Sequence, residues 1–457
     1  MIRSSTSRRA IGAATLLVLA GCMGGGGRSP EELRRTAAWV DPDYPTGHGG
    51  IGWDVTELGR IAEKLRESRK PADGKLPPKR SILAISGGGS FGAYSAGILC
   101  AWSESGTRPE FDVVTGISTG ALIAPLAFLG PAYDSQLKTF YTTLTNDDIY
   151  KRRRPLKALF ADSFADNKPL RGQIEKTLTP QVMTAVAQEH LKGRRLYIGT
   201  TDLEGRRQII WDLGAIAVRG TPEDRTLAVD ILLASAAIPG FFPPVSIHLT
   251  ANGQATTERH VDGGVSASLF MVPPYVSKEE QARLPKNWLY DSDLYMLVAG
   301  KLYSDPEPVR AESLKVASSA ISSVLYAQTR GDLQRMFMIT MLTGMNYHLA
   351  SIPEEFDAPT DCTEFDPVKM TGMFNEGVAQ FRAGAAWRST PPGVEKSEAV
   401  LFRSKLQLAG RGSAPAFMGH PLHGLLPNSF LPNGLLPNGF LPMTPEGIPV
   451  PPPPLKK

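Results

Sequence analysis

The chain has 457 residues, 42% of them hydrophobic and 21% charged, with a formal net charge of +4. That length suffices for one large domain or two ordinary ones. A balance so close to neutral gives no nucleic-acid footprint, and it does not oppose an anionic lipid surface.

The N-terminus reads as a targeting segment. Arg3, Arg8 and Arg9 precede a short apolar run from Ala10 to Ala20, too short to span a bilayer as a stable helix. The run ends in Leu19-Ala20-Gly21-Cys22, which resembles a bacterial lipoprotein lipobox. The resemblance implies a signal peptide over 1–21, cleavage before Cys22 and lipidation of its thiol. An ordinary secretory signal with an incidental cysteine is the alternative. Ser7-Arg8-Arg9 also resembles, faintly, a twin-arginine signal. Met23 rather than Asp after Cys22 implies, by resemblance to enterobacterial sorting, the outer membrane.

Residues 22–79 read as anchor and linker. Four glycines, Gly24 to Gly27, begin it, and Val55 to Leu65 has helical spacing. Arg80 opens the main domain, which extends to residue 393. Ser81 to Ser86 is a buried-strand run ended by three glycines, and Ala93 to Glu104 follows as a helix. Phe111 to Thr115 predicts a strand and Ser118 to Leu129 a helix. Val113 to Tyr133 is apolar enough to suggest a membrane span, but its glycines and prolines favour strand, turn and core helix.

Further strands are expected at Arg195 to Thr200, Gln208 to Trp211 and Asp291 to Val298. Ser313 to about Met341 reads as a long helix, with Val316, Ile321, Val324, Leu325 and Leu333 near a 3.6 period. Met370 to Phe381 is another helix. Alternating strands and helices predict an α/β fold with a mainly parallel sheet. Residues 394–457 form a proline-rich tail with a five-residue repeat (Gly424-Leu-Leu-Pro-Asn onward). Proline every fifth residue forbids regular ladders, so the tail reads as disordered or as an arm for lipid or a partner. Cys100 and Cys362 could pair or stay free; Cys100 sits in an apolar stretch and reads as a small buried residue.

Three segments carry the chemistry. Gly87, Gly89 and Gly92 match a dinucleotide-binding G-x-G-x-x-G, but Asp112 stands at the start of the next strand rather than its end. An oxyanion loop needs only unhindered N–H groups at a helix N-terminus, which this segment supplies. Gly116-Ile117-Ser118-Thr119-Gly120 is a G-x-S-x-G: a serine on a sharp strand-to-helix turn, with Gly116 and Gly120 expected to supply φ > 0 and keep Oγ uncrowded. Asp262, before Gly263 and Gly264, is the candidate base. A free carboxylate at pKa ~3.9 is a weak base, so the site must desolvate it. His260 would share the face of Asp262 if that stretch is a strand.

In this order, with Thr200 to Gly205 and Ala234-Ser235 through Pro239 to Pro244 between them, these pieces resemble the patatin-like phospholipase family. The resemblance covers about residues 80–393, with Met370 to Gly393 similar to the closing helix of many bacterial members. It implies a three-layer α/β/α fold and hydrolysis of lipid acyl esters by a Ser118–Asp262 dyad. It also implies an oxyanion hole in the loop of Gly87, Gly88, Gly89 and Gly92, and it needs no metal, no cofactor and no histidine. Phe91 stands where many members have Arg or Lys, which puts phospholipid preference in doubt more than acyl hydrolysis. Lys151 to Arg154 could dock on anionic headgroups, or be a solvated loop. Asp202 reads as a structural turn. Two rivals remain. One is a Ser-His-Asp esterase using His348, His420 or His423; the other is a non-catalytic envelope protein that binds lipid or partners.

Overall fold

The computed structural model describes residues 55–71, 74–153, 163–251, 254–277, 279, 283–284, 287–309 and 312–394. The leader, Cys22, most of the 22–79 linker, Arg154 and the tail with His420 and His423 lie outside the described residues.

Eight strands make one mixed sheet: β1 (Ser81–Ile85), β2 (Val113–Gly116), β3 (Arg195–Asp202), β4 (Arg207–Asp212), β5 (Val245–Ala251), β6 (Gln254–Asp262), β7 (Asp293–Val298) and β8 (Asn346–Ser351). Their order is β8-β7-β1-β2-β3-β6-β5, with β4 also paired to β3. Five strands, β8, β7, β1, β2 and β3, run parallel. The other three pair antiparallel. The mainly parallel sheet agrees with the sequence reading. The β5–β6 hairpin and β8 were not foreseen; β6 is polar over most of its length, whereas β5 does alternate, with Val245, Ile247 and Leu249 between Ser246, His248 and Thr250.

Period-two alternation in β1 sends Leu83 and Ile85 to one face and Ile82 and Ala84 to the other. The first face is covered by α2 (Gly92–Glu104), α3 (Thr119–Leu129), α4 (Pro222–Ser235) and α6 (Pro367–Arg382), through Ile98, Ile123, Leu232 and Met373 among others. On the second face lies the inner half of α5 (Ser313–Thr343), through Leu333 and Met336. Helix α1 (Val55–Arg69) packs against α5. Helices on both faces make the three layers α/β/α.

Asp112 ties down the N-terminal edge of the sheet. Its carboxylate accepts from the Ser81 amide and the Arg80 guanidinium, both at 2.8 Å. It therefore does the work of a strand-end clamp and is far from a ribose-binding position. No helix among the described residues is long and apolar enough to cross a membrane. Lys151 and Arg152 lie exposed in a two-stranded ribbon with Ala165–Asp166. Cys100 and Cys362 are both free thiols, and Cys100 is buried.

Candidate active site

The sheet register brings Ser118 and Asp262 together. One edge of β3 is taken by β4 over Tyr197 to Asp202. The other edge is shared. There β2 pairs in parallel up to Gly116 opposite Ile198, and β6 pairs antiparallel down to Asp262 opposite Thr200. Only Gly199 separates the two ends, so β2 and β6 run toward one another and their C-terminal residues meet. Ser118 follows one end and Asp262 is the other.

The turn after β2 is strained at the serine itself. Ser118 has φ 54° and ψ −122°, whereas neither Gly116 nor Gly120 has a positive φ. This corrects the expected role of those glycines. They are needed for close approach: a Cβ on Gly116 would stand 2.4 Å from the Gly120 carbonyl oxygen, and one on Gly120 would stand 2.3 Å from that of Ile85. The non-glycine residue carries the unfavourable backbone, a pattern found where function depends on it. Ser235, at the end of α4, holds the turn. Its hydroxyl accepts from the Ser118 amide at 3.0 Å and donates to the Gly199 carbonyl at 2.7 Å.

The glycine loop lies between β1 and α2. Gly88 (φ 153°) and Gly89 (φ 54°) adopt conformations that side chains rarely take. A Cβ on either would strike backbone, 1.9 Å from the Ala299 oxygen or 2.1 Å from the Cys362 oxygen. Among the described residues the amides of Gly88 and Gly89 bond to no acceptor. The other two loop glycines differ from expectation. Gly87 donates to the Ser268 carbonyl at 3.3 Å, and Gly92 donates back to the Gly89 carbonyl in the first turn of its helix. The open donor pair is therefore Gly88 and Gly89, with Gly92 serving to let α2 pass Thr119 and Tyr141.

Asp262 is buried, 6% exposed, on the wall of the site. Burial pushes its pKa up to about 6, against the lowering effect of hydrogen bonds from the Ser118 hydroxyl and the Gly264 amide. The Gly264 bond measures 2.7 Å. Gly263 lets this turn pass the Gly199 carbonyl, which a Cβ would meet at 2.5 Å. A carboxylate of raised basicity thus sits against a serine hydroxyl, as direct proton transfer requires.

Two cavities open from Ser118. The larger, about 280 Å³, is lined by Gly88, Phe91, Asp262, Val265, Lys301 and Tyr326, among others. The smaller, about 30 Å³, is an apolar slot walled by Leu122, Phe140, Phe241, Phe242 and Phe365. Leu122 and Phe140 also line a further apolar void toward Ile174 and Leu232. Cys362 and Thr363 border both main cavities.

Among the described residues no histidine lines either cavity. His260 does share the buried face of Asp262 on β6, but both its ring nitrogens are engaged, at 3.0 Å from Thr200 Oγ1 and 3.1 Å from Glu258 Oε2. The Trp211 indole N–H donates to Thr200 Oγ1 at 2.8 Å, so the Thr200 hydroxyl proton is free for His260 Nδ1. His348 lies near the N-terminal end of β8, bonded to Asp293 and stacked on Tyr295.

The family model for patatin-like phospholipase matches residues 83–273. The stretch holds the glycine loop, the serine turn and Asp262 in one frame. This is a patatin-like phospholipase domain. The family places it among lipid acyl hydrolases. A comparison with curated proteins gave no match. Among solved structures, the chain is similar to VipD from Legionella pneumophila at 12% identity and a TM-score of 0.33, over 71% of this chain and 70% of that one.

Two parts of the patatin-like site were not read from sequence. Ser235 belongs to the Ala234 to Pro244 segment that carries the resemblance, but nothing local announces its bond to Ser118. The Thr360 to Thr363 segment reaches the cavity from far along the chain and carries no motif. Asp202 sits where expected, accepting from the Glu204 amide at 3.1 Å in the β3–β4 turn.

Proposed function

We propose that the protein is a serine acyl hydrolase acting on acyl esters of lipids through a Ser118–Asp262 dyad. The observation that carries this reading is the placement of Ser118 and a buried carboxylate of raised pKa on one cavity wall, beside two amides that bond to no acceptor among the described residues. Ser118 Oγ attacks the ester carbonyl carbon while Asp262 takes its proton. The carbonyl oxygen becomes an oxyanion and accepts from the Gly88 and Gly89 amides. Preorganised donors of this kind contribute about 3–4 kcal/mol each to the barrier reduction. Collapse breaks the ester C–O bond, and the leaving alkoxide takes the proton from Asp262. A water then loses its proton to Asp262 and attacks the acyl-serine. Breakdown of the second intermediate frees the acid and returns the proton to Ser118.

The apolar slot beside Ser118 suits the acyl chain, and its small volume requires side chains such as Leu122 and Phe140 to give way for a long one. The larger cavity suits the alcohol half. Phe91, 7% exposed, puts an aromatic ring on that cavity wall where a cation would favour phosphate. An acyl ester hydrolase of broad lipid class is therefore the reading, with a phospholipid substrate less specifically supported. Cys22 acylation would tether the enzyme to the bacterial envelope, on the outer membrane side.

A fluorophosphonate probe tests the chemistry. Labelling of the folded protein that disappears in Ser118→Ala is expected. Labelling that survives Ser118→Ala, or none at all, would defeat the reading. Radiolabelled acyl incorporation that persists in Cys22→Ala, or is absent from the parent, would defeat the tether.

A further inference from the structure

Helix α5 is built inside out over its outer half. From Val316 to Thr329, fourteen residues, it carries no charge. On a helical wheel Val316, Ala317, Ala320, Ile321, Val324 and Ala327 share one side, and Ser318, Ser319, Ser322, Tyr326 and Thr329 share the other. An ordinary surface helix buries the apolar side. Here Ser322, Tyr326 and Thr329 line the large cavity, while Val316, Ile321 and Val324 stand 51%, 61% and 63% exposed. Met338 and Leu342 are exposed on the same side further along, beyond Gly331 and Arg335, so the uncharged apolar stripe is the stretch from Val316 to Ala327. The 3.6 period read from the sequence is present, but it faces solvent at every one of its outer positions; only Leu333 is core.

The outward face is continuous with the substrate cavity. Leu325 and Val265 belong to both: each lines the cavity, and each is about half exposed at its rim. Helix α5 is also fixed to the loop that follows Asp262. Gln328 donates to the Gly264 carbonyl at 3.2 Å, Thr329 donates to Ser268 Oγ at 2.8 Å, and Asp332 accepts from the Ser268 amide at 2.8 Å. The uncharged stretch ends at Arg330, whose guanidinium turns inward, donating to the Leu302 carbonyl at 3.0 Å and lying over the Tyr303 ring.

We propose that the outward face of α5, with Val265, is a lipid-docking surface that seats the cavity mouth on the surface of a lipid bilayer. This rests on the lipid acyl ester reading of the site. An exposed apolar stripe that borders a lipid cavity and lacks charge fits hydrocarbon, and the polar side of the same helix then faces the cavity through which the ester must pass. Docking delivers substrate from the aggregate directly to Ser118, without full transfer of a lipid through water.

The test uses the full chain in a Cys22→Ala background, so that no acyl anchor contributes. Ile321→Asp combined with Val324→Asp is compared with its parent; neither residue lines a cavity. Co-sedimentation with phosphatidylcholine vesicles should fall about ten-fold, and turnover of an ester packed in those vesicles should fall with it. Turnover of a monomeric nitrophenyl butyrate should stay within about two-fold. Ile321→Ser with Val324→Ser, a milder pair, should show the same split and covers the case in which the aspartates unfold the helix. Unchanged vesicle binding overturns the proposal. So does equal loss on both substrates, which would make α5 a wall of the site only. A parent that is dimeric at sedimentation equilibrium, with monomeric variants, would assign the face to a second copy. Failure of the probe to label Ser118 would sink the catalytic reading and leave the vesicle-binding result to stand or fall separately.

Discussion

Two aspartates sit at opposite ends of the same sheet and are held in opposite electrostatic states. Asp262 ends β6 beside the serine turn, and burial raises its pKa to about 6. Asp293 begins β7 at the N-terminal edge. There burial acts to raise its pKa too, but hydrogen bonds from His348, Lys79 and Asn346 outweigh it and hold the carboxyl well below the ordinary range. Lys79 lies 2.8 Å away and His348 3.1 Å away. An Asp–His pair is thus present in the protein, yet it is a strand-end clamp. The chemistry sits where the carboxylate has no cation. What separates a base from a structural acid here is the partner, since both side chains are nearly inaccessible.

The largest test of that contrast is rate. Asp262→Asn keeps the shape of the site but removes the proton acceptor, and should lower kcat/KM by about 10³-fold or more, with Ser118→Ala similar. Asp293→Asn and His348→Asn should leave kcat within a few-fold. Comparable losses at the two ends would break the comparison and reinstate a histidine-dependent mechanism.

The pH profile comes next. Asp262 acts only when ionised, so kcat/KM should rise with pH and level off above about 6. Two pH units below that value, about 1% of the enzyme is competent. An acid limb falling instead at the ordinary carboxylate value would show that the site does not desolvate Asp262. A smaller effect is expected at Ser235. Ser235→Ala removes the bond that holds the Ser118 amide, so kcat should fall about ten-fold with KM little changed, and Ser235→Thr should restore part of it. An equal rise in KM would point to a collapsed cavity.

Much of the site was legible because its chemistry is written in short segments. Gly116 to Gly120 and Asp262-Gly263-Gly264 each need small residues at fixed spacing, for reasons of backbone approach that hold in any such turn. The alternation of strands and helices likewise gave the parallel part of the sheet. Other features depend on distant partners. The hydroxyl of Ser235 acquires meaning only when α4 ends beside β2. Which of the four loop glycines keep free amides depends on the carbonyls of Ser268 and Gly89. The periodicity of α5 predicts a helix and an apolar face, but a wheel carries no information about what that face meets; the tertiary fold turns it outward. Strand β6 is polar along its outer length, with burial confined to the stretch from His260 to Asp262, so no alternation marks it.

The smallest effect is also the most diagnostic, because its sign differs at the two ends. Asp262 has a raised folded pKa, so between the ordinary value and about 6 the folded protein binds more protons than the unfolded one. Stability attributable to this residue therefore falls as pH rises through that window, and the ionised carboxylate is a net cost at neutral pH. Asp262→Asn, neutral and of the same shape, should raise stability at pH 7 by about 1–2 kcal/mol and flatten this pH dependence. Asp293 has a depressed folded pKa. Its contribution is present above the ordinary carboxylate value and is lost as pH falls below it. Asp293→Asn should accordingly lower stability at pH 7 by about 1–3 kcal/mol, since it strips Lys79 and His348 of their partner. Urea unfolding of both variants at pH 5 and pH 7 reads the two signs directly. Destabilisation by both substitutions at pH 7 would mean that the bonds from Ser118 and Gly264 outweigh the desolvation of Asp262, and the carboxylate would then be a structural acid at both ends of the sheet.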